Sequence, residues 1–125
     1  MLSDLSERSA AYSIASARND LVAQARLGAF EALLRREETD AAADTLRLLE
    51  QVRERVRVRV DSGEAARYEL IKADAEIITA RQRRDAARLM AQKALLELDR
   101  LSGGTLPAGW KLAASLDDEI GRAHV

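Results

Sequence analysis

The feature that most constrains the fold of this sequence is a single turn signal between two long stretches of helical periodicity. Asp61, Ser62 and Gly63 are consecutive turn-forming residues, and glycine adopts the left-handed backbone conformation that ends a helix. We expect Asp61 or Ser62 to cap the helix that follows, with Glu64 placed three residues after Asp61 as in a capping box. The sequence therefore predicts a helical hairpin whose chain reversal lies at Gly63.

The stretch before the turn predicts one long helix, from about residue 5 to residue 60. It holds a single glycine, Gly28, and no proline. Apolar residues recur at helical spacing along one line and then along a neighbouring line. The first line is Ala23, Leu27, Phe30, Leu34, Ala41 and Leu48, and the second is Ala42, Leu46, Leu49, Val56 and Val60. We expect the packing seam of this helix to drift from the first line to the second.

One short segment also fits a strand. Residues 55–60 alternate arginine and valine with a period of two, which is typical of a β-strand. The helical interpretation is favoured because Val52, Val56 and Val60 lie four residues apart and continue the upstream spacing. No second strand is available nearby to pair with this segment.

The stretch after the turn predicts a second helix, from about residue 64 to residue 101. Its clearest feature is a line of ten positions spaced alternately three and four residues apart, as in the a and d positions of a coiled coil. These positions are Leu70, Ala73, Ile77, Ala80, Arg84, Ala87, Ala91, Ala94, Leu98 and Leu101. Arg84 is the one charged member; it either sets partner specificity or, in the favoured interpretation, extends its head group into solvent.

A second apolar line lies beside the first on this helix. Its members are Ile71, Ala75, Ile78, Ala86, Leu89 and Leu96. A helix that is apolar on two adjacent faces needs more than one packing partner, whereas a two-helix hairpin supplies one. The sequence therefore predicts self-association of this chain, as a dimer or a helical bundle.

The C-terminal region follows a second stop signal. Ser102, Gly103 and Gly104 end the helix and Pro107 prevents its immediate continuation. Residues 105–125 are expected to form an irregular tail, in which residues 112–120 could form a short helix and Trp110 packs locally on the base of the hairpin. The domain organisation predicted is one hairpin domain, residues 1–104, followed by this tail.

Composition excludes several classes of function. The net charge is −1 although 33% of residues are charged, and this balance argues against a nucleic-acid partner. Cysteine is absent, which excludes disulfides and thiolate chemistry. No apolar run approaches the roughly 20 residues of a membrane-spanning helix, so we expect no membrane contact by this segment.

No catalytic constellation is apparent either. The single histidine, His124, lies in the tail, where the rigid converging groups of an active site are not expected. An acidic cluster follows one helix, which predicts a solvated face rather than a metal site; its members are Glu37, Glu38, Asp40 and Asp44. We predict no enzymatic activity and no cofactor.

The turn and the second helix resemble a known family. Arg59 is followed four residues later by Gly63-Glu64-Ala65-Ala66, then by Glu69-Leu70, Ala73, Ala75-Glu76 and Ala80-Arg81, and the helix closes on Leu98, Leu101 and Gly103. This pattern resembles the periplasmic helical repeat of TolC-like outer-membrane efflux proteins, and its Gly-Glu turn is most similar to the heavy-metal and cation efflux branch. Similarity extends from about Glu7 to Leu116.

The resemblance implies a function for the parent protein. In that family, three chains form a hollow α-barrel across the periplasm, continued by a β-barrel in the outer membrane, and the tips of the helices meet a periplasmic adaptor protein. The resemblance thus implies a periplasmic portion of an efflux channel, with adaptor contact at Gly63, Glu64, Ala65, Ala66 and Arg67. Because the sequence matches one of the family's two repeats and none of its barrel strands, we expect it to be a fragment.

Two alternatives of different classes stay open. The first is the helical hairpin of the periplasmic adaptor itself, a binding module that returns to a lipoyl-like domain through an Ile-x-Ala-Pro stretch. This sequence leaves its hairpin through Leu101-Ser102-Gly103-Gly104 instead. The second is a free-standing coiled-coil scaffold without a transport role. Barrel strands or a lipoyl half-motif in the flanking gene sequence would separate the three.

Overall fold

A computed structural model describes residues 1–104, and over that range the chain is an all-α antiparallel hairpin, as predicted. Helix α1 spans Leu2–Asp61 and helix α2 spans Arg67–Leu101. The segment 55–60 is helical, so the alternative interpretation as a strand is wrong. The expectations for Trp110, for residues 112–120 and for His124 fall outside the described residues.

The chain divides into two compact units. The turn unit is Leu33–Lys93, which holds the chain reversal, and the terminal unit is Met1–Ala32 with Ala94–Val125. Each unit takes one segment from α1 and one from α2.

The seam predicted for α2 is confirmed. All ten positions of the three-and-four line are buried or half-buried. In the turn unit the most buried of them are Ala73, Ile77 and Ala80. In the terminal unit Leu98 has the same role, with 4% of its surface exposed.

The seam predicted for α1 is partly wrong. Every residue of the first apolar line is exposed, from Ala23 to Leu48, whereas the second line is buried or half-buried. One line of buried and half-buried positions of α1 keeps a strict alternation of four and three residues and does not drift. Its members are Arg35, Thr39, Ala42, Leu46, Leu49, Arg53, Val56 and Val60 in the turn unit, and Ala25, Gly28 and Ala32 in the terminal unit; Ala29, Ala43 and Arg57 are half-buried beside it.

Polar residues in the α1 seam are accommodated by local bonds. The buried Thr39 hydroxyl donates to the carbonyl of Arg35 at 2.9 Å, so its burial leaves no unpaired donor. Arg53 reaches across to donate to the carboxylate of Asp74 on α2, and Arg35 pairs with Glu38 at 3.0 Å. A search for apolar residues misses these seam positions, because each is occupied by a polar or charged residue whose polar end reaches a partner.

The centre of the turn unit is a small apolar cluster. Leu46, Ile77 and Ala80 are 4%, 5% and 6% exposed, and Leu49 packs against them. Burying a side chain such as Leu46 or Ile77 stabilises the fold by about 1.5–3 kcal/mol. These contacts align α1 with α2 in the turn unit.

Gly28 has a comparable role within the terminal unit. A methyl group built on Gly28 would lie 3.4 Å from the terminal Cδ1 atoms of both Leu98 and Leu101. This is an ordinary van der Waals distance, so the two leucines pack over Gly28 and leave room for a methyl group.

Candidate functional site

The chain reversal is built around Gly63, which adopts a positive φ of 79°. The amide of Glu64 donates to the carbonyl of Arg59 at 2.8 Å, and the amide of Gly63 donates to that of Val60 at 3.1 Å. This pair of bonds is the Schellman motif that closes helix C-termini. The same pair recurs at the end of α2, where Gly103 has a φ of 65°.

The capping predicted for the second helix is wrong. Asp61 lies inside the last turn of α1 and pairs with Arg57 at 2.8 Å, and the Ser62 hydroxyl donates back to the Arg59 carbonyl at 3.1 Å. Helix α2 begins at Arg67, three residues later than expected, so that Ala66 occupies its N-cap position. In the Schellman motif, the backbone just after Gly63 is still bonded to the end of α1. The chain therefore needs further residues to reverse its direction before α2 can begin.

The five residues predicted to contact a partner all lie in or beside this turn. Gly63, Glu64, Ala66 and Arg67 are exposed, and Ala65 is half-buried. No atom lies within 4 Å of the place where a Gly63 side chain would be. The turn thus presents small residues between a carboxylate and a guanidinium, and this surface can be approached closely by another chain.

Fixed charges lie on α1 just before the turn. Arg57 donates to Glu54 at 2.6 Å and to Asp61 at 2.8 Å. The hydrogen bond from Arg57, reinforced by its charge, lowers the pKa of the Glu54 carboxyl, and Glu54 in turn raises the pKa of Arg57. Glu54 and Arg57 are therefore charged at neutral pH, and the two bonds made by Arg57 hold its side chain beside the turn.

The outer line of α2 is the second exposed feature. It is the second apolar line of the sequence, and all its members are exposed: Ile71, Ala75, Ile78, Ala86, Leu89 and Leu96. Ile71, Ile78 and Leu96 expose 59%, 57% and 70% of their surfaces. The prediction that these residues are not covered by the partner helix of the same chain is confirmed.

The outer line of α1 is a surface that the sequence analysis assigned to the seam. Its members are Ala23, Leu27, Phe30, Leu34, Ala41 and Leu48. Leu27, Phe30 and Leu48 expose 71%, 68% and 60% of their surfaces. The seven-residue interval that joins Leu27, Leu34, Ala41 and Leu48 was the available signal, because it marks a second face with the same period as the seam.

The two sides of the turn unit between these outer lines differ in chemistry. One side carries an open groove of about 530 Å³ lined mainly by small residues and by the stems of charged ones: Ala42, Thr45, Leu49, Lys72, Ala75, Glu76, Thr79, Ala80 and Arg83. The other side is bridged by ion pairs, from Arg53 to Asp74 and from Arg81 to Glu50 at 3.8 Å. The hydrogen bond to Asp74 raises the pKa of Arg53.

The remaining charged candidates lie on the surface. Glu37, Glu38, Asp40 and Asp44 are all exposed, and Asp44 pairs with Arg47 at 3.1 Å. Arg84 is half-buried in the seam, and its guanidinium bonds the exposed carboxylate of Asp85 at 3.0 Å.

Two further findings bear on the assignment. Over residues 1–104, neither helix contains a stretch that is both long and apolar enough to span a bilayer. Comparison of the chain with protein-family models, with curated proteins and with solved structures gave no match. The resemblance to TolC-like efflux proteins therefore stays a prediction.

Proposed function

We propose that this chain is the periplasmic α-barrel segment of a trimeric outer-membrane efflux channel, which forms the exit duct of a tripartite export pump. The proposed role is architectural and calls for no catalytic group or cofactor. Its partners are further copies of the same segment and a periplasmic adaptor protein.

The observation that carries the proposal is the pair of outer lines. In a wall built from side-by-side helices, each helix needs an apolar line toward both of its neighbours. Helix α2 has its seam toward α1 and its outer line on another face, and α1 has the same arrangement. An isolated hairpin would leave both outer lines in water, and contiguous exposed apolar surface of this kind marks an interaction site.

The turn supports the adaptor contact. Gly63, Glu64, Ala66 and Arg67 are accessible at the one chain reversal between the two helices. Glu64 and Arg67 bear opposite charges, which favours one docking register over others.

Self-association is the first test. The isolated chain should sediment as an oligomer at micromolar concentrations with full helicity, and should dissociate when Ile78 and Leu48 are replaced by glutamine. A chain that stays monomeric at high concentration would contradict the proposal.

Contact at the turn is the second test, carried out in the protein that contains this segment. Ala66→Gln with Glu64→Gln should abolish adaptor cross-linking and resistance while the channel still assembles. Ala65 is left unchanged because it is half-buried, and Gly63 because its positive φ requires glycine. Gln51→Lys, an exposed change on α1, is the matched control. Full efflux in the turn variant would show that the turn is only a bend.

A further inference from the structure

The outer lines of the turn unit match each other in height along the helices. Leu46 packs with Ile77 and Ala80, which sets the alignment of the antiparallel helices. Counting from this contact, Leu48 of α1 lies level with Ile78 of α2. Both are exposed, by 60% and 57% of their surfaces.

Both residues also point away from the seam. Leu48 is two residues beyond the buried Leu46, which turns its side chain by about 200° around α1. Ile78 follows the buried Ile77 and is turned by about 100° around α2. The two level apolar residues therefore lie on opposite edges of the hairpin and cannot cover each other within one chain.

The charges beside the outer lines are of opposite sign at one height. Glu37, Asp40 and Asp44 outnumber Arg47, which pairs with Asp44, and give the α1 edge an acidic band of net negative charge. Arg81, which also pairs with Glu50 of its own chain, and Arg88 outnumber Asp85 between them and give the α2 edge a basic band of net positive charge. The same count from Leu46 places Arg88 at the height of Glu37 and Asp40, and places Arg81 near Asp44.

Pairing of like edges is disfavoured by these bands. Two α1 edges in contact at Ala41 would bring acidic residues of one copy against acidic residues of the other, in either direction, because the cluster is distributed on both sides of Ala41. Two α2 edges in contact near Asp85 would bring Arg81 and Arg88 against their counterparts. Like charges facing each other weaken an interface and exclude wrong pairings.

We infer that the α1 edge of one copy packs against the α2 edge of the next copy, level with it and with both turns at the same end. In this contact Leu48 lies against Ile78 of the neighbour, and Asp40 and Glu37 lie beside Arg88 of the neighbour. The inference deepens the proposed function and rests on its self-association. A contact between two different edges is heterologous, so it propagates from copy to copy and closes into a ring if the rotation between copies allows.

Cysteine cross-linking tests the register, since the chain has no cysteine of its own. Chains carrying Leu48→Cys are mixed with chains carrying Ile78→Cys and oxidised. The mixed disulfide should form at least tenfold faster than the disulfide between two Leu48→Cys chains. Both substitutions are at exposed sites, and circular dichroism verifies that the helices are retained.

The matched control uses Leu89→Cys in place of Ile78→Cys. Leu89 lies on the same outer line and exposes 51% of its surface, but it is 11 residues away from Ile78, or about 16 Å along α2. It should give little mixed disulfide with Leu48→Cys. Equal yields from Leu89 and Ile78, or preferential linking of two Leu48→Cys chains, would overturn the inference.

Charge exchange provides a second, independent measurement. Asp40→Lys and Arg88→Glu should each weaken self-association about two- to fivefold in sedimentation, and together they should restore it. An oligomer without this rescue and with another register would overturn the edge pairing and leave the proposed self-association standing. A monomer would overturn both, and would assign the outer lines to a different protein.

Discussion

Two consecutive isoleucines of α2 differ in what surrounds them. Ile77 is 5% exposed and packs with Leu46 and Ala80, whereas Ile78 is 57% exposed and lies on the outer line. The side chains are identical and the backbone is helical at both positions. The difference shows that apolar residues at helical spacing identify a face that can pack. They do not identify which of two such faces is covered by the other helix of the same chain.

The largest expected effect tests this contrast directly. Ile77→Ala should lower the free energy of unfolding by about 2–5 kcal/mol, because it removes buried methyl groups and leaves a cavity against Leu46. Ile78→Ala should change it by less than about 0.5 kcal/mol in dilute solution. Urea denaturation at a concentration where the chain is monomeric measures both. Equal losses would mean that Ile78 is covered within one chain.

The closure of the turn at Gly63 is the next test. Gly63→Ala should cost about 1–2 kcal/mol, because the left-handed conformation at φ 79° is strained for alanine. Gly28→Ala provides the matched control. It lies within α1, where alanine is favoured over glycine by about 1 kcal/mol, and its methyl would meet Leu98 and Leu101 at 3.4 Å. Thermal melts should therefore show a loss for Gly63→Ala and none for Gly28→Ala.

The start of α2 offers a smaller change in the opposite direction. Ala66 occupies the N-cap position, and Glu69 lies three residues later. Ala66→Ser would complete the capping box that the natural sequence lacks, and should stabilise the chain by about 0.5–1 kcal/mol. Ala66→Val, which cannot cap, serves as the control in the same denaturation experiment. A serine variant no more stable than the valine variant would contradict the N-cap assignment.

The smallest effect concerns the charges next to the turn. Arg57 lowers the pKa of Glu54 below its usual value of about 4.5. The pair therefore contributes stability that is present above pH 4.5 and is lost as the pH falls through the lowered pKa of the folded state. The difference in unfolding free energy between the natural chain and Glu54→Gln should be found at pH 7 and should shrink below pH 4.5. In an Arg57→Gln background the pH-dependent part of that difference should disappear.

The fold could be predicted from sequence because its signals were local and mutually consistent. Gly63 marks the reversal, and the line from Leu70 to Leu101 keeps one strict spacing with a single charged exception. Alanine and leucine at those positions have no polar group to conceal the pattern. The predicted α2 seam is accordingly buried or half-buried at every position.

The α1 seam was identified only in part, through the line from Ala42 to Val60. Its buried positions include Arg35, Thr39 and Arg53, whose polar ends are satisfied by partners that only the folded structure reveals. A pattern search gives such residues to the solvent face and selects the more apolar line, from Ala23 to Leu48. That line is apolar, but the hairpin leaves it uncovered.

The turn was located correctly, and its details were not. Sequence alone marked Gly63 as the helix terminator, and its positive φ agrees. The assignment of Asp61 and Ser62 as caps failed because both residues still belong to the closing of α1, where Asp61 bonds Arg57. How many residues the reversal needs depends on the geometry of both helix ends, and spacing along the chain does not encode it.

The ion pairs on one side of the turn unit and the groove on the other make the hairpin two-sided. Arg53 and Asp74 bridge one side, while Ala42, Ala75 and Thr79 line an open groove on the other, together with Lys72, Glu76 and Arg83. Copies that repeat by rotation about a common axis all turn the same side outward. In such an assembly the salt bridges of every turn unit would line one curved surface and the grooves the other, so a copy turned inside out would place its groove among the salt bridges of its neighbours.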